Sequence, residues 1–220
     1  MSREANLTWL RARGFKVAAS LPEQRGDAEA LRPVPEMAAR LMALQALYAW
    51  VAYDAREAPD ARLRRYVQRN GLEPAMAADE RRIYRQTRAR ARRYGPMIGW
   101  ALEMMWPLAW VLGFPTAPRI EDKAITRATS TAIQATIPPL DLSVDALLAR
   151  ARPRSYAVVA RLEDRFYCAH NAVRSAHLGR RTVPRDFDLD FGGLLIAARR
   201  HALAWCLSPG KSWAKTPLDT

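Results

Sequence analysis

Four side chains in this chain have types and spacing that could do acid–base chemistry: Glu103, Tyr167, His170 and Arg174. Glu103 stands in the stretch Gly99 to Phe114, Gly-Trp-Ala-Leu-Glu-Met-Met-Trp-Pro-Leu-Ala-Trp-Val-Leu-Gly-Phe, which holds three tryptophans, one acid and no base. A carboxylate set among tryptophans must be paired, or be neutralised through a raised pKa. Tyr167, His170 and Arg174 follow Glu163 and precede His177 at spacings of three, four and seven, which makes them neighbours along one flank of a helix. The planar fork of an arginine can bond both oxygens of a carboxylate. Glu103 is therefore expected to accept from Arg174, with His170 or Tyr167 nearby. As architecture this is a buried ion pair that orients two helices. As chemistry it is a general acid or base beside a cationic group. The architectural role is the first expectation.

Other chemistries lack their residues. His170 and His177 lie two turns apart, too far to bind one metal without bending the helix, and no His-Glu-x-x-His spacing exists. Cys168 and Cys206 are isolated and do not form a zinc pattern. There is no Gly-x-Ser-x-Gly, no phosphate-binding loop and no dinucleotide fingerprint. No metal and no cofactor is expected.

The elements that must position these groups read as helices. Apolar residues go all the way round Gly99–Phe114, the pattern of a helix buried on every side or set in a membrane. Gly113 supplies its stop. Trp100, Trp106 and Trp110 are all expected to be largely buried. Ser2 to Arg13 reads as a helix capped by Ser2 and stopped by Gly14. Phe15 to Leu21 reads as extended, and Gln24 to Pro33 as a loop. Met37, Leu41, Leu44, Leu47, Tyr48 and Val51 recur at helical spacing from Pro35 to about Arg56. This helix is the expected packing partner of the tryptophan helix. A shorter helix follows Pro59 and stops at Asn70-Gly71. One helix is predicted from Asp79 to Gly95. Pro115 to Pro139 is less regular and leaves room for short strands. Ser143 caps a short helix through Ala151. Ser155 to Leu178 is a long helix with Val158, Leu162, Phe166, Ala169 and Val173 on its core face. Arg180 to Gly193 reads as a loop, Leu194 to Leu207 as the last helix, and Trp213 to Thr220 as a tail. The fold class is mainly α, a multi-helix array around the tryptophan helix, with 1–220 read as a single helical domain.

The chain has 220 residues, 50% of them hydrophobic, enough to bury a sizeable core and too apolar for disorder. Net charge is +13 and the pI about 10.6. A balance that basic suits nucleic acid or an acidic surface. Lysine, however, occurs only at 16, 123, 211 and 215, so the charge is nearly all arginine, and a coding bias toward arginine and alanine explains much of it. Arg81, Arg82, Arg85, Arg88 and Arg92 gather in the Asp79–Gly95 helix. They are the residues that could contact phosphate, although a solvated surface helix explains them too. Pro96 to Phe114 approaches spanning length, but a carboxylate near its middle is costly in lipid. No membrane association is expected. The start, Met-Ser-Arg-Glu-Ala-Asn, has no apolar signal region. With two isolated cysteines, a reducing cytoplasm is the expected compartment.

Several short motifs, in order and nearly end to end, carry a family resemblance. They are Leu31-Arg32-Pro33…Glu36…Ala39-Arg40, then Trp100…Glu103…Trp106…Trp110…Leu112-Gly113, then Tyr167…His170…Val173-Arg174, and then Arg199-Arg200-His201-Ala202-Leu203…Trp205 before Trp213…Leu218-Asp219-Thr220. In these the chain resembles the domain of unknown function 4272 family. The resemblance implies a fold and assigns no activity. Ala101 stands where the family tends to have arginine, Asn171 where an aromatic is usual, and Ala214 and Lys215 where acids are common.

Function stays unknown at this level, with three readings of different class. The first is a non-enzymatic cytoplasmic helical module that binds a protein partner. The second is a small-molecule-binding or hydrolase-like protein using Glu103, His170 and Arg174 in a pocket. The third is sequence-blind nucleic-acid binding through the arginine helix.

Overall fold

The computed structural model describes residues 3–23, 29–136 and 143–219. Its α-helices are α1 Arg3–Arg11, α2 Val34–Ala52, α3 Asp60–Arg69, α4 Ala78–Tyr84, α5 Arg88–Ala91, α6 Gly95–Val111, α7 Arg127–Thr136, α8 Val144–Arg150, α9 Tyr156–His177 and α10 Leu189–Cys206. No strand occurs among the described residues, so the mainly α expectation holds. The Ser2 cap, residues 24–28 of the first loop, 137–139 of the irregular stretch and Thr220 lie outside the described residues. The helices sort into two compact units. One is Pro33–Ala117 with Ile125–Pro153; the other is Met1–Arg32, Pro118–Ala124 and Arg154–Thr220.

The first unit is built on α2 against α6. Both are apolar on most sides, and both are buried along most of their length. Met37, Leu41, Leu44, Leu47 and Trp50 of α2 and Met105, Trp106, Leu108 and Val111 of α6 are essentially inaccessible. Each such side chain contributes about 1.5–3 kcal/mol by leaving water. Trp106 and Trp110 are buried, and Trp100 is partly exposed. In the first turns of α6 only Ile98 is buried, with Pro96 and Gly99 exposed and Met97 46% exposed, and burial of most residues begins only past Trp100. Gly113 ends the helix at φ +123°, and its missing Cβ would sit 3.1 Å from the Arg152 backbone N and O. Only glycine fits where the chain leaving α8 closes onto the end of α6. Among the described residues, Pro115 to Pro139 contributes α7 and no strand.

The helix expected from Asp79 to Gly95 is two short helices, interrupted at Arg85–Thr87 and followed by a 3₁₀ turn over Arg92–Tyr94. The reason is Arg88, which turns inward rather than continuing a solvated face. Its Nε donates to the Trp50 carbonyl at 3.1 Å, and its Nη2 to Ala49 at 3.0 Å. Its Nη1 donates to Ala58 at 2.6 Å and to Asp60 Oδ1 at 2.8 Å. The arginine thus adds donors to the carbonyls at the end of α2, where Ala49 also accepts the Tyr53 N–H at 3.2 Å.

The second unit is the α9–α10 hairpin with α1 laid on α9. Phe166, Cys168, Ala169, Ala172 and Val173 of α9 and Leu195, Ile196, Ala202, Leu203 and Cys206 of α10 form its core. Val159, not Val158, starts the α9 core stripe, and Leu162 is half-buried. α10 begins five residues earlier than its apolar pattern suggests, because Asp188 caps it by accepting the Phe191 N–H at 2.9 Å. The early start places Gly192 and Gly193 inside the helix at a close crossing. A Cβ on Gly192 would lie 2.6 Å from Asp122 Cβ and Phe187 Cζ, and one on Gly193 2.9 Å from Val173 Cγ1. Among the described residues no helix is long and apolar enough to cross a membrane.

Candidate functional site

An enclosed polar cluster in the second unit centres on Arg200, a residue of α10 with no solvent exposure. Its Nε donates to Glu163 Oε1 at 2.9 Å. Its Nη1 lies 2.9 Å from His170 Nδ1 and donates to the Leu218 carbonyl at 3.0 Å, and Nη2 donates to the Asp219 carbonyl at 3.3 Å. The guanidinium carbon sits 4.7 Å from the centre of the Tyr167 ring. Glu163, Tyr167 and His170 reach it because they stand at i, i+4 and i+7 on α9, one above the other.

Electrostatics follow from this enclosure. A guanidinium has only donors, so His170 Nδ1 must accept and the ring proton sits on Nε2. Burial, then the charges of Arg200 and Arg174, push the His170 pKa down to about 4. The ring is neutral at physiological pH. Burial raises the Glu163 carboxyl, and the Arg200 charge and hydrogen bond oppose it. Tyr167 is raised by burial against the pull of Arg200 and Arg3. Burial pushes both thiols, Cys168 and Cys206, up to about 12. Such thiols are inert packing groups.

The four sequence-picked residues divide as follows. Tyr167 and His170 share the Arg200 cluster. Arg174 lies on the same helix but is exposed; the arginine enclosed with them is Arg200. Glu103 belongs to the other unit. It is buried, as expected, and its Oε1 accepts the Ile125 N–H at 2.7 Å. Sequence reasoning passed over Glu163 as a flank residue and Arg200 as a motif position. The available signal was an arginine pair, Arg199-Arg200, inside an otherwise apolar helical run, where a charge demands partners.

That signal generalises. Four of the five arginines at the resemblance motifs, Arg32, Arg40, Arg199 and Arg200, are buried and bond backbone carbonyls, while Arg174 is exposed. Arg32 donates to Trp205, Ser208 and Lys211. Arg40 donates to Ala75 at 2.8 Å and grips Glu80 with both Nη atoms. Arg199 donates to Arg119 at 2.7 Å and Lys123 at 2.9 Å. Asn171 Oδ1 accepts the Ala18 N–H at 3.1 Å. His201 Nε2 meets the Trp213 carbonyl at 2.9 Å, and Trp213 packs on Trp205, so the tail is held against α10.

The five arginines picked for phosphate are not one face. Arg88 is buried. Arg82 pairs with Asp79 at 3.1 Å, Arg85 with Glu73 at 2.8 Å and Arg92 with Asp54 at 4.0 Å; Arg81 donates to the Glu73 carbonyl at 3.4 Å. Acids therefore neutralise part of this surface. Among the described residues no three or more His, Cys, Asp or Glu are placed to hold a metal ion.

A family model described as Domain of unknown function (DUF4272) matches residues 2–216. No curated protein matches the chain, and no solved structure does.

Proposed function

The chain belongs to the domain of unknown function 4272 family, and we propose that it works as a non-enzymatic helical interaction module in the cytoplasm, one working domain over 1–220, that docks an acidic protein partner. The observation that carries this reading is at one end of the α9–α10 hairpin. Leu178 is 77% exposed, Leu194 57% and Phe191 41%. Phe191 and Leu194 are three apart on α10, hence on one side of it. His177 approaches Asp190 at 4.0 Å, which sets the end of α9 beside the start of α10. Large apolar side chains held in water on a braced helical frame mark an interaction surface. Exposed Arg174, Arg180 and Arg181 flank Leu178. With a net charge of +13, they favour a partner that presents acids around an apolar anchor.

The internal polar groups support a scaffold rather than a catalyst. Arg32, Arg40, Arg88, Arg199 and Arg200 are spent on backbone carbonyls and internal acids. His170 Nδ1 is already engaged by Arg200, so no base is on offer at that nitrogen. The test is a photo-cross-linking residue in place of Leu194, expressed in the native cell. One discrete protein adduct is expected, lost when Phe191→Asp is added. No adduct, or an adduct unchanged by Phe191→Asp, overturns the reading.

A further inference from the structure

The α2–α6 unit contains a cavity that the interaction reading does not use. Its volume is about 270 Å³, at the lower edge of the roughly 300–1,000 Å³ range of small-molecule sites. Leu41 of α2, Ala109 and Leu112 at the end of α6, Phe114, and Leu147 of α8 line it. Leu41, Leu112 and Leu147 are nearly or fully buried. At the mouth stand two exposed cations, Arg150 and Arg152.

The polar groups at the mouth are one-sided. The Leu112 carbonyl, at the end of α6, accepts the Arg152 N–H at 2.9 Å. The Ala149 and Ala151 carbonyls accept from Arg152 Nη1 at 3.2 and 2.8 Å, and the Leu147 carbonyl accepts the Ala151 N–H at 2.9 Å. These acceptors are engaged, while a guanidinium carries five N–H donors and no acceptor. An occupant therefore meets apolar walls below and donors of positive charge above. Gly113 makes this arrangement possible. Its missing Cβ lets the Arg152 backbone close to within van der Waals contact of the end of α6.

We infer that this cavity is a binding site for a small amphiphilic carboxylate, a free medium-chain or arylalkyl acid. The apolar tail would lie against Leu41, Leu112 and Leu147, and the carboxylate would meet Arg150 and Arg152. The volume admits about eight to ten heavy atoms at roughly 30 Å³ each. Arginine forks match a carboxylate in geometry and charge. This inference is independent of partner docking on α9–α10, and either can fail alone.

The test is titration calorimetry of the full chain with octanoate, octanol and octylamine. Octanoate is expected to bind at least about tenfold tighter than octanol, and octylamine to bind weakest, as a charge-assisted hydrogen bond dictates. The double variant Arg150→Gln/Arg152→Gln keeps the apolar walls and is expected to reduce octanoate affinity about tenfold or more while leaving octanol unchanged. Leu147→Phe, which fills the cavity, is expected to abolish both. The arginine variant removes two exposed side-chain heads and the Arg152 Nη1 bonds to the Ala149 and Ala151 carbonyls, buries nothing new, and so stays informative if Leu147→Phe fails to fold. Absence of octanoate binding in the millimolar range, equal affinity for octanoate and octylamine, or octanoate affinity unchanged in the arginine variant overturns the inference.

Discussion

Removing the carboxylate of Glu163 should destabilise the protein more than most surface changes combined. The pair it forms is enclosed. Arg200 has no exposed side-chain area and Glu163 has 5%, with Nε and Oε1 2.9 Å apart. In Glu163→Ala the guanidinium stays buried and loses its counter-ion, a situation that costs about 3–5 kcal/mol. Glu163→Gln keeps the shape and one acceptor, and Arg200 keeps His170, Leu218 and Asp219. Its cost should be nearer 2 kcal/mol, about that of one hydrogen bond to a charged group. Arg200→Met strands the carboxylate and also removes the donors to the tail, and should match or exceed Glu163→Ala. The double change Glu163→Gln/Arg200→Met leaves neither member of this pair charged and should cost clearly less than the two single changes together. For a chain of this size 1 kcal/mol moves Tm by about 2–4 °C, so Glu163→Ala should lower it by roughly 6–20 °C. Urea unfolding followed by circular dichroism at neutral pH, with calorimetric melts, gives the values. A Glu163→Ala protein within about 1 kcal/mol of the parent would refute the reasoning, because a buried arginine cannot lose its acid so cheaply.

Three further outcomes are expected. His170 is held at about pH 4 against 6.5 for the free group, so below pH 6.5 the unfolded chain takes up a proton that the folded chain refuses. Its contribution is whole above pH 6.5 and is lost as pH falls toward 4, by about 3 kcal/mol at most. Stability of the parent minus that of His170→Asn, measured from pH 7 to 4.5, should shrink along this course; a flat difference removes the assignment. Gly192→Ala should cost about 1–3 kcal/mol, since the new methyl meets Asp122 and Phe187 at 2.6 Å, and a melt unchanged from the parent would show that the crossing gives way. Duplex DNA should bind no tighter than about micromolar at physiological salt and without sequence preference; a nanomolar, sequence-selective mobility shift would contradict the view of the α4–α5 arginines as paired with acids.

Local pattern was enough for the helices with a strong stripe or strong punctuation. The α2 and α6 apolar runs, the Gly113 stop and the Pro153 break are visible residue by residue, because period and caps are properties of neighbours in the chain. The same logic failed where a distant group supplied the energy. Asp79–Gly95 has a helical composition, yet Arg88 leaves the solvated face to bond the carbonyls of Ala49, Trp50 and Ala58, some thirty to forty residues away in the chain. Gly192-Gly193 looks like a loop until Asp122 and Phe187 on one side and Val173 of α9 on the other need the space their missing side chains leave.

The site divides in the same way. That Glu103 is buried, that Tyr167 and His170 share a flank with Glu163, and that the chain is mainly helical were all determined by the sequence itself, since hydrophobic periodicity specifies which residues face inward. Which arginine meets which carboxylate was decided only by tertiary structure. Thirty-one arginines offer nearly identical charges, and a helix surface brings together only residues three, four or seven apart. The 37-residue separation of Glu163 and Arg200 is closed by the antiparallel return of α10 on α9. That return depends on the packing of Ile196 and Leu203 against the α9 core and not on any attraction legible along the chain.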